Sequence, residues 1–337
     1  NKIIINHERY IARCIEVAKK GLGTTAPNPM VGCVIVVEDI VIAEGYTSPY
    51  GGAHAEVNAI QRVKDPKLLE KATLYVTLEP CAHFGKTPPC SDLIIAHKIP
   101  RVVIGCLDEH EKVCGKGISK LKSVGCEVIV GVLEAECKTH HKRFFTFHKK
   151  KRPYIILKWA ESNDGFIAPL KKSENKPVWI SNLYSRQLVH QWRSEEQAIL
   201  VGANTVIQDN PSLTTREIKG ENPIRIVIDI RNSLSMSSQV FNSEAKTITL
   251  TNSEIDPTIP LAIQICNALY LNDITSVIVE GGKKTLQTFI DENLWDEARI
   301  FSSNVDMKTG IEKPQLKGQL IKQIHIKSDT LKIIHND

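Results

Sequence analysis

From Glu8 to Lys150 the chain alternates segments of helical period with continuous apolar runs of strand length, and after Pro153 the alternation begins again. "ERYIARCIEVAKKG" carries apolar residues at helical spacing and stops at Gly21. "MVGCVIVVED" is an apolar run of the kind found in strands covered on both faces. The "HAEVNAI" helix, "ATLYVTLE", "SDLIIAHKI", "RVVIGCLD" and "SKLKSVGCEVIVG" continue the order, and "LEAECKTHHKRFFTFHKK" reads as one closing helix. Such an order predicts a sheet with crossover helices. In the second half "YIILKWAESNDG" reads as a strand ending in a turn, and "SNLYSRQLVHQWRSE" as a helix capped by Ser181. "AILVGANTV", "IRIVIDI", "KTITLT" and "SVIVEGG" are strand-like, and "KTLQTFIDENL" is helical. The two halves meet at Lys149-Lys150-Lys151-Arg152-Pro153. A basic run can touch nucleic acid, but four residues closed by a proline read as a solvated linker. Two α/β domains are therefore expected, 1–148 and 149–337, in keeping with a domain size of ~100–200 residues.

Composition narrows the function classes. No apolar run approaches the ~18–20 residues of a membrane helix and no signal-peptide core is evident, so a cytoplasmic protein without a membrane partner is expected. The net charge of +5 is spread out, and aromatics are only 6% of the residues. A nucleic-acid groove would need clustered cations with interleaved aromatics. Nine cysteines, an odd number, argue against a disulfide framework, and eight of the nine precede residue 140. Such clustering suggests thiol chemistry in the first half. Cys33 and Cys106 lie inside apolar runs, where a thiol is usually a small buried hydrophobe; Cys81 and Cys90 do not.

Cys81 and Cys90 belong to "EPCAHFGKTPPC", directly after a strand, while His54 and Glu56 open a helix after Gly51-Gly52. One imidazole and two thiolates give zinc three protein ligands and leave a tetrahedral ion one open position, the mark of a catalytic site. Helix N-termini also favour the thiolate. Glu56, two residues from His54, can reach the fourth position without ligating, to take a proton from zinc-bound water and return it to a leaving amine. His-x-Glu followed by Pro-Cys and a second cysteine is the ordered set of a zinc deaminase. A structural zinc knuckle is the alternative, but it lacks a fourth ligand of matching spacing.

With eight residues between the cysteines, and with "TAPNPMVGCVIV" upstream, the first half resembles the deaminase domain of the bifunctional riboflavin-biosynthesis pyrimidine deaminase/reductase. The second half matches that family's reductase domain, so the resemblance covers nearly the whole chain. It implies a cytidine-deaminase-like α/β/α sandwich followed by a dihydrofolate-reductase-like α/β domain. It also implies Zn2+ and NADPH as cofactors, and a small pyrimidine ribosyl phosphate as substrate. Carried over by position, His54, Cys81 and Cys90 bind zinc, Glu56 shuttles protons, and Asn28, His83 and Lys86 contact substrate. Thr47 stands where the family often has a histidine.

Three stretches carry the resemblance in the second half: "KWAESNDG", "VGANTVIQDNPSLTTR" and "VEGGKKTL". Each is weak alone, although two glycines between a strand and a helix can let backbone N–H groups approach a phosphate. The resemblance implies cofactor contacts at Glu161, Trp179, Thr205, Asp209, Gly281 and Gly282, Glu161 standing where a small residue is common. Substrate contacts fall at Arg193, Leu213, Arg216 and Glu280, and the arginines suit a 5′-phosphate because a guanidinium fork pairs with its oxygens. Lys158 and Asp209, expected at strand-to-loop boundaries, match residues proposed for proton delivery around the reduced sugar carbon. The tail after Gly310 is short. The family also implies a homo-oligomer, a dimer or tetramer. A zinc deaminase of nucleosides or RNA bases with a non-catalytic second domain is the second reading, and a binding module with structural zinc the third.

Overall fold

The structure, a computed structural model, describes residues 6–85, 87–109 and 114–336. The chain divides into two compact units, Asn1–Lys150 and Lys151–Asp337.

The first unit runs α1 (His7–Ala18), β1 (Gly32–Val37), β2 (Ile40–Tyr46), α2 (Ala55–Gln61), β3 (Thr73–Leu78), α3 (Cys90–Ala96), β4 (Arg101–Cys106), α4 (Lys116–Ser123), β5 (Glu127–Val130), α5 (Glu134–His140) and α6 (Lys142–Lys150). Its sheet has the order β2-β1-β3-β4-β5. β1 is antiparallel to both β2 and β3, and β3, β4 and β5 are parallel. All six residues of β1 are buried, as its unbroken apolar run predicts. The sequence reading missed β2, and with it the hairpin that makes this sheet mixed rather than all-parallel. α2 lies close over β2 because Gly45 has no side chain: a Cβ there would stand 2.4 Å from the Ala55 carbonyl oxygen and from the Ala59 nitrogen. The closing helix is two helices, α5 and α6. They part at His141, whose buried ring is tied to the Thr77 hydroxyl at 3.0 Å.

The second unit runs β6 (Tyr154–Glu161), β7 (Phe166–Ala168), α7 (Leu183–Glu195), β8 (Ala198–Gly202), α8 (Ala203–Asp209), β9 (Ile224–Asp229), β10 (Thr247–Thr251), α9 (Leu261–Leu271), β11 (Ser276–Val279), α10 (Lys283–Asp291), β12 (Glu297–Ser302), β13 (Ile311–Glu312), β14 (Gln319–Ile326) and β15 (Asp329–His335). Eight strands form one sheet in the order β10-β9-β8-β11-β6-β12-β15-β14. Those from β10 to β12 in that order are parallel, and β15 and β14 add an antiparallel margin. The period of two shows directly in the packing. Val277 and Val279 face α9 and α10 with Leu286 and Phe289, while Ile278 between them faces Val189 and Trp192 of α7. Burying both faces this way is what the near-continuous apolar runs dictate.

Four sequence expectations need correction. α7 is capped by Asn182, whose side-chain oxygen accepts from the Ser185 N–H, rather than by Ser181. "AILVGANTV" is a strand only to Gly202, and Ala203–Asp209 is helical. Asp209 is accordingly the last residue of a helix, and Lys158 lies within β6 rather than at a strand-to-loop boundary. The short tail still supplies β13, β14 and β15. No helix among the described residues is long and apolar enough to cross a membrane.

Candidate functional site

In the first unit β2 leads to His54, the residue preceding α2; β3 leads to Cys81; and Cys90 is the first residue of α3. Three segments distant in sequence thus deliver three ligand-type side chains to one place. Their ligand atoms all lie within 4.8 Å of one another. Cys81 Sγ is 3.6 Å and Cys90 Sγ 3.4 Å from His54 Nδ1. A tetrahedral zinc with Zn–S of about 2.3 Å and Zn–N of about 2.05 Å separates sulfur from nitrogen by about 3.6 Å. The donor set fits zinc in both chemistry and spacing. Hydrogen bonding from the Cys90 thiol pulls Cys81 well below the usual thiol range, to about 4, against the opposing effect of burial. The Cys90 backbone N–H also donates to Cys81 Sγ at 3.2 Å. Of the other cysteines, Cys14, Cys33, Cys106 and Cys137 are core residues, and burial raises each of their pKa values.

Glu56, in the first turn of α2, is 4% exposed. Burial first, then the neighbouring Cys81 sulfur, raises its pKa to about 7, near the working range of an acid–base group. Thr47 is buried and turned inward: its hydroxyl accepts from the Val31 N–H at 3.0 Å. Asn28 stands in the loop before β1, where its N–H donates to the Thr25 carbonyl oxygen at 2.9 Å. His83 is exposed in the loop between the two cysteines. Lys86 lies outside the described residues.

In the second unit a cavity of about 1210 Å³ opens outside the carboxyl ends of β8, β9 and β11, the usual place for a ligand on a parallel sheet. Lys158, Trp179, Thr205, Asp209, Glu280, Gly281 and Gly282 all line it. Thr205 accepts from the Gly282 N–H at 3.0 Å, fixing the turn between β11 and α10. Arg231, Lys283 and Lys284 add cations to the wall, and the half-exposed Trp179 ring carries the Arg186 guanidinium at 4.5 Å. Depth, cationic wall and exposed ring suit a long anionic nucleotide. Asp209 is ion-paired with Lys172, which the sequence reading missed because it lies in an aperiodic segment. Glu161 does not line the cavity. It is buried and takes hydrogen bonds from Trp159 Nε1 at 2.9 Å, Lys313 Nζ at 3.2 Å and Ser302 Oγ at 3.3 Å.

At the inner wall Glu280 joins two cations: Arg193 at 2.9 Å and Lys158 at 3.7 Å. Burial raises the Glu280 pKa, but Arg193 and then Lys158 outweigh it and hold the carboxyl at about 2. Burial lowers that of Lys158, with Glu280 opposing. A depressed carboxylate contributes stability above its unfolded pKa of about 4.5 and loses it as the pH falls through about 2. We expect the acid slope of urea-unfolding stability between those values to be shallower in Glu280→Gln, by on the order of 3 kcal/mol over the whole window. Equal slopes in the two proteins would count against the triad. Arg193 also donates to the Thr214 carbonyl oxygen at 3.3 Å. Arg216 Nη1 donates to the Ser212 and Thr214 hydroxyls, and its backbone N–H to His190 Nδ1 at 3.1 Å. Leu213 is 2% exposed and packs with Val206 and Val240, its backbone left-handed at φ 56°. Any ligand contact there would fall on its backbone.

The comparisons with known proteins agree with this division. Residues 4–106 match the cytidine and deoxycytidylate deaminase zinc-binding region, and residues 153–305 match the RibD C-terminal domain. The riboflavin biosynthesis protein RibD of Aquifex aeolicus is 40% identical over 320 residues, covering 90% of this chain and 88% of that protein. RibD of Actinobacillus pleuropneumoniae is 37% identical over 336 residues, covering 94% and 88%. Among solved structures, the diaminohydroxyphosphoribosylaminopyrimidine deaminase/5-amino-6-(5-phosphoribosylamino)uracil reductase of Thermotoga maritima superposes with a TM-score of 0.88 at 39% identity. That match covers 98% of this chain and 99% of the other. With a zinc-type ligand set in one unit, a nucleotide-sized cavity in the other and relatives matched along almost their whole length, the chain belongs to the RibD family, bifunctional riboflavin-biosynthesis enzymes that join a zinc deaminase to an NADPH-dependent reductase.

Proposed function

We propose that the first domain, residues 1–148, deaminates 2,5-diamino-6-ribosylamino-4(3H)-pyrimidinone 5′-phosphate. The second domain, 149–337, would then reduce the ribosyl group of the product to ribityl. The observation that carries the reading is the fit of His54, Cys81 and Cys90 to a zinc ion, with buried Glu56 beside them. Zinc, when bound, supplies an acidified water as nucleophile. Glu56 takes the proton that the nucleophile sheds and returns it to the leaving amino nitrogen. Asn28, His83 and Lys86 hold the pyrimidine and its phosphate. In the second domain the hydride comes from NADPH, with Trp179, Thr205, Gly281 and Gly282 contacting the cofactor. Arg193 and Arg216 take the 5′-phosphate, with Leu213 and Glu280 beside them. The Lys158 ammonium gives a proton to the sugar ring oxygen as C1′ is reduced, and Asp209 supports that transfer.

The thiolate ligand pair calls for a reducing compartment, which supports a cytoplasmic location. The implied dimer or tetramer is tested by sedimentation. The functional reading itself is tested by supplying the diaminopyrimidine with and without NADPH while following ammonia and NADPH oxidation separately. Ammonia release independent of NADPH, and oxidation that requires the deaminated product, are expected. Cys81→Ala is expected to lose its zinc on metal analysis. One zinc per chain retained in that variant would remove Cys81 from the site.

A further inference from the structure

Glu79 stands between β3 and Cys81, and the residue is 4% exposed. It is not one of the cluster's ligand-type side chains, and among the described residues its carboxylate forms no ion pair. Its two oxygens instead accept from the N–H groups of Gly115 and Gly117, each at 3.0 Å, at the start of α4. Gly115, which precedes α4, has no side chain to satisfy those donors, so a residue from another element does it. The contact restrains Glu79 as much as it caps the helix. Its own N–H donates to the Cys106 carbonyl oxygen at 3.0 Å, holding it in line with β4. The next residue, Pro80, is confined by the same helix: a Cβ on Gly117 would stand 2.2 Å from the Pro80 carbonyl oxygen. Beyond Pro80, the Cys81 carbonyl oxygen accepts from the Ser91 N–H at 3.1 Å, and its sulfur from the Cys90 N–H at 3.2 Å. Cys81 is thus fixed on one side by α3 and on the other by the Glu79–α4 clamp.

We propose that Glu79 is a positioning residue for the metal centre, holding Cys81 at its ligating place through the backbone. The proposal rests on the zinc reading of His54, Cys81 and Cys90. Groups that orient a ligand without touching the ion typically change metal affinity by about 10–100-fold when removed. A helix cap alone would change only stability, by about 0.5–2 kcal/mol. The two roles separate experimentally. Asp65 serves as the comparison, because its side chain accepts from the Lys67 N–H in the short helical turn that leads into the opposite end of β3. Asp65→Ala removes a cap from the same unit without touching the ligand loop.

The test uses the full-length zinc-loaded enzyme and measures zinc release to an excess of a colorimetric chelator, beside urea unfolding and the visible spectrum of the cobalt(II)-substituted protein. Glu79→Ala is expected to release zinc about 10–100-fold faster and to alter the cobalt ligand-field bands. Glu79→Gln, which keeps one acceptor oxygen, should fall between it and the parent. Asp65→Ala should lose comparable stability with zinc release within about two-fold of the parent. The proposal is overturned if Glu79→Ala keeps both release rate and spectrum, or if Asp65→Ala accelerates release equally. Should Glu79→Ala not fold, parent-like release and spectrum in Glu79→Gln overturn it instead. Retention of zinc by Cys81→Ala would defeat the zinc reading itself, a separate result from any of these.

Discussion

Glu56→Gln is expected to release ammonia about 10²–10⁴-fold more slowly than the parent while keeping its zinc and its fold. Glutamine nearly matches glutamate in shape, so α2 and the seat of His54 at its start remain in place. What is lost is the ability to carry a proton. In the parent, burial and the adjacent Cys81 sulfur bring the carboxyl to about 7. At that value both protonation states are within reach near neutrality, and one group can accept a proton and later give it back. A solvated carboxylate near 4.5 would be a poor donor to an amine. The reductase reaction, started from pre-deaminated substrate, should be unchanged in this variant because its residues lie in the other unit. Ammonia release within a few-fold of the parent would remove Glu56 from the mechanism.

Reduction, in the second unit, should fail in other variants. Lys158→Ala and Asp209→Asn are each expected to slow NADPH oxidation by about 10²–10³-fold, the scale of losing one preorganised group that relieves developing charge. Deamination should be intact in both. The structural alternatives for these residues are weaker than sequence allows. A strand lysine is often an edge charge, yet β6 is flanked by β11 and β12. Lys158 points a half-buried ammonium at Glu280 instead of at bulk water. An aspartate before Asn-Pro is often a turn former, yet the Asp209 carboxylate is paired with Lys172 on the cavity wall. Steady-state kinetics with pre-deaminated substrate decide the matter, and Lys158→Met separates loss of the charge from loss of the stem. If both variants stay folded and within a few-fold of the parent, the catalytic groups of this unit must be sought elsewhere, with the Glu280 carboxylate next.

Legibility in the sequence followed the range of the physics. The zinc ligands were readable because tetrahedral chemistry demands particular residue types in a particular order, and the order survives without a structure. The buried strands β1, β3, β8, β9 and β11 were readable because burial on both faces forces unbroken apolar runs. β2 was not, because it starts with exposed Ile40 and Val41 and continues with the half-polar "AEGY". β14 was not, because six of its eight residues are exposed and only Ile324 and Ile326, at its end, turn toward the core. Ala203–Val206 reads as strand because four apolar residues before Gly202 invite extension of the run, whereas the segment opens the helix Ala203–Asp209. The Arg193–Glu280 and Lys172–Asp209 pairs could not be seen at all. A salt bridge between residues so far apart in sequence is a product of tertiary packing, and no local period encodes it.

The strand orders of the two sheets have a consequence for how the chain is made. In the first unit most strands pair with a neighbour in the chain, so each new segment leaving the ribosome finds its partner already present. The second unit is built the other way. β6, which carries Lys158, pairs with β11 through Tyr154 and Ser276 and with β12 through Ile156 and Glu297. The first strand to emerge therefore waits for both of its neighbours until the final third of the chain is made. Contacts of such separation form late and slowly. During synthesis the deaminase unit can finish its sheet while the strand at the heart of the reductase site still waits for both of its neighbours. Chain lost from β11 onward would accordingly cost the reductase the middle of its site rather than its margin.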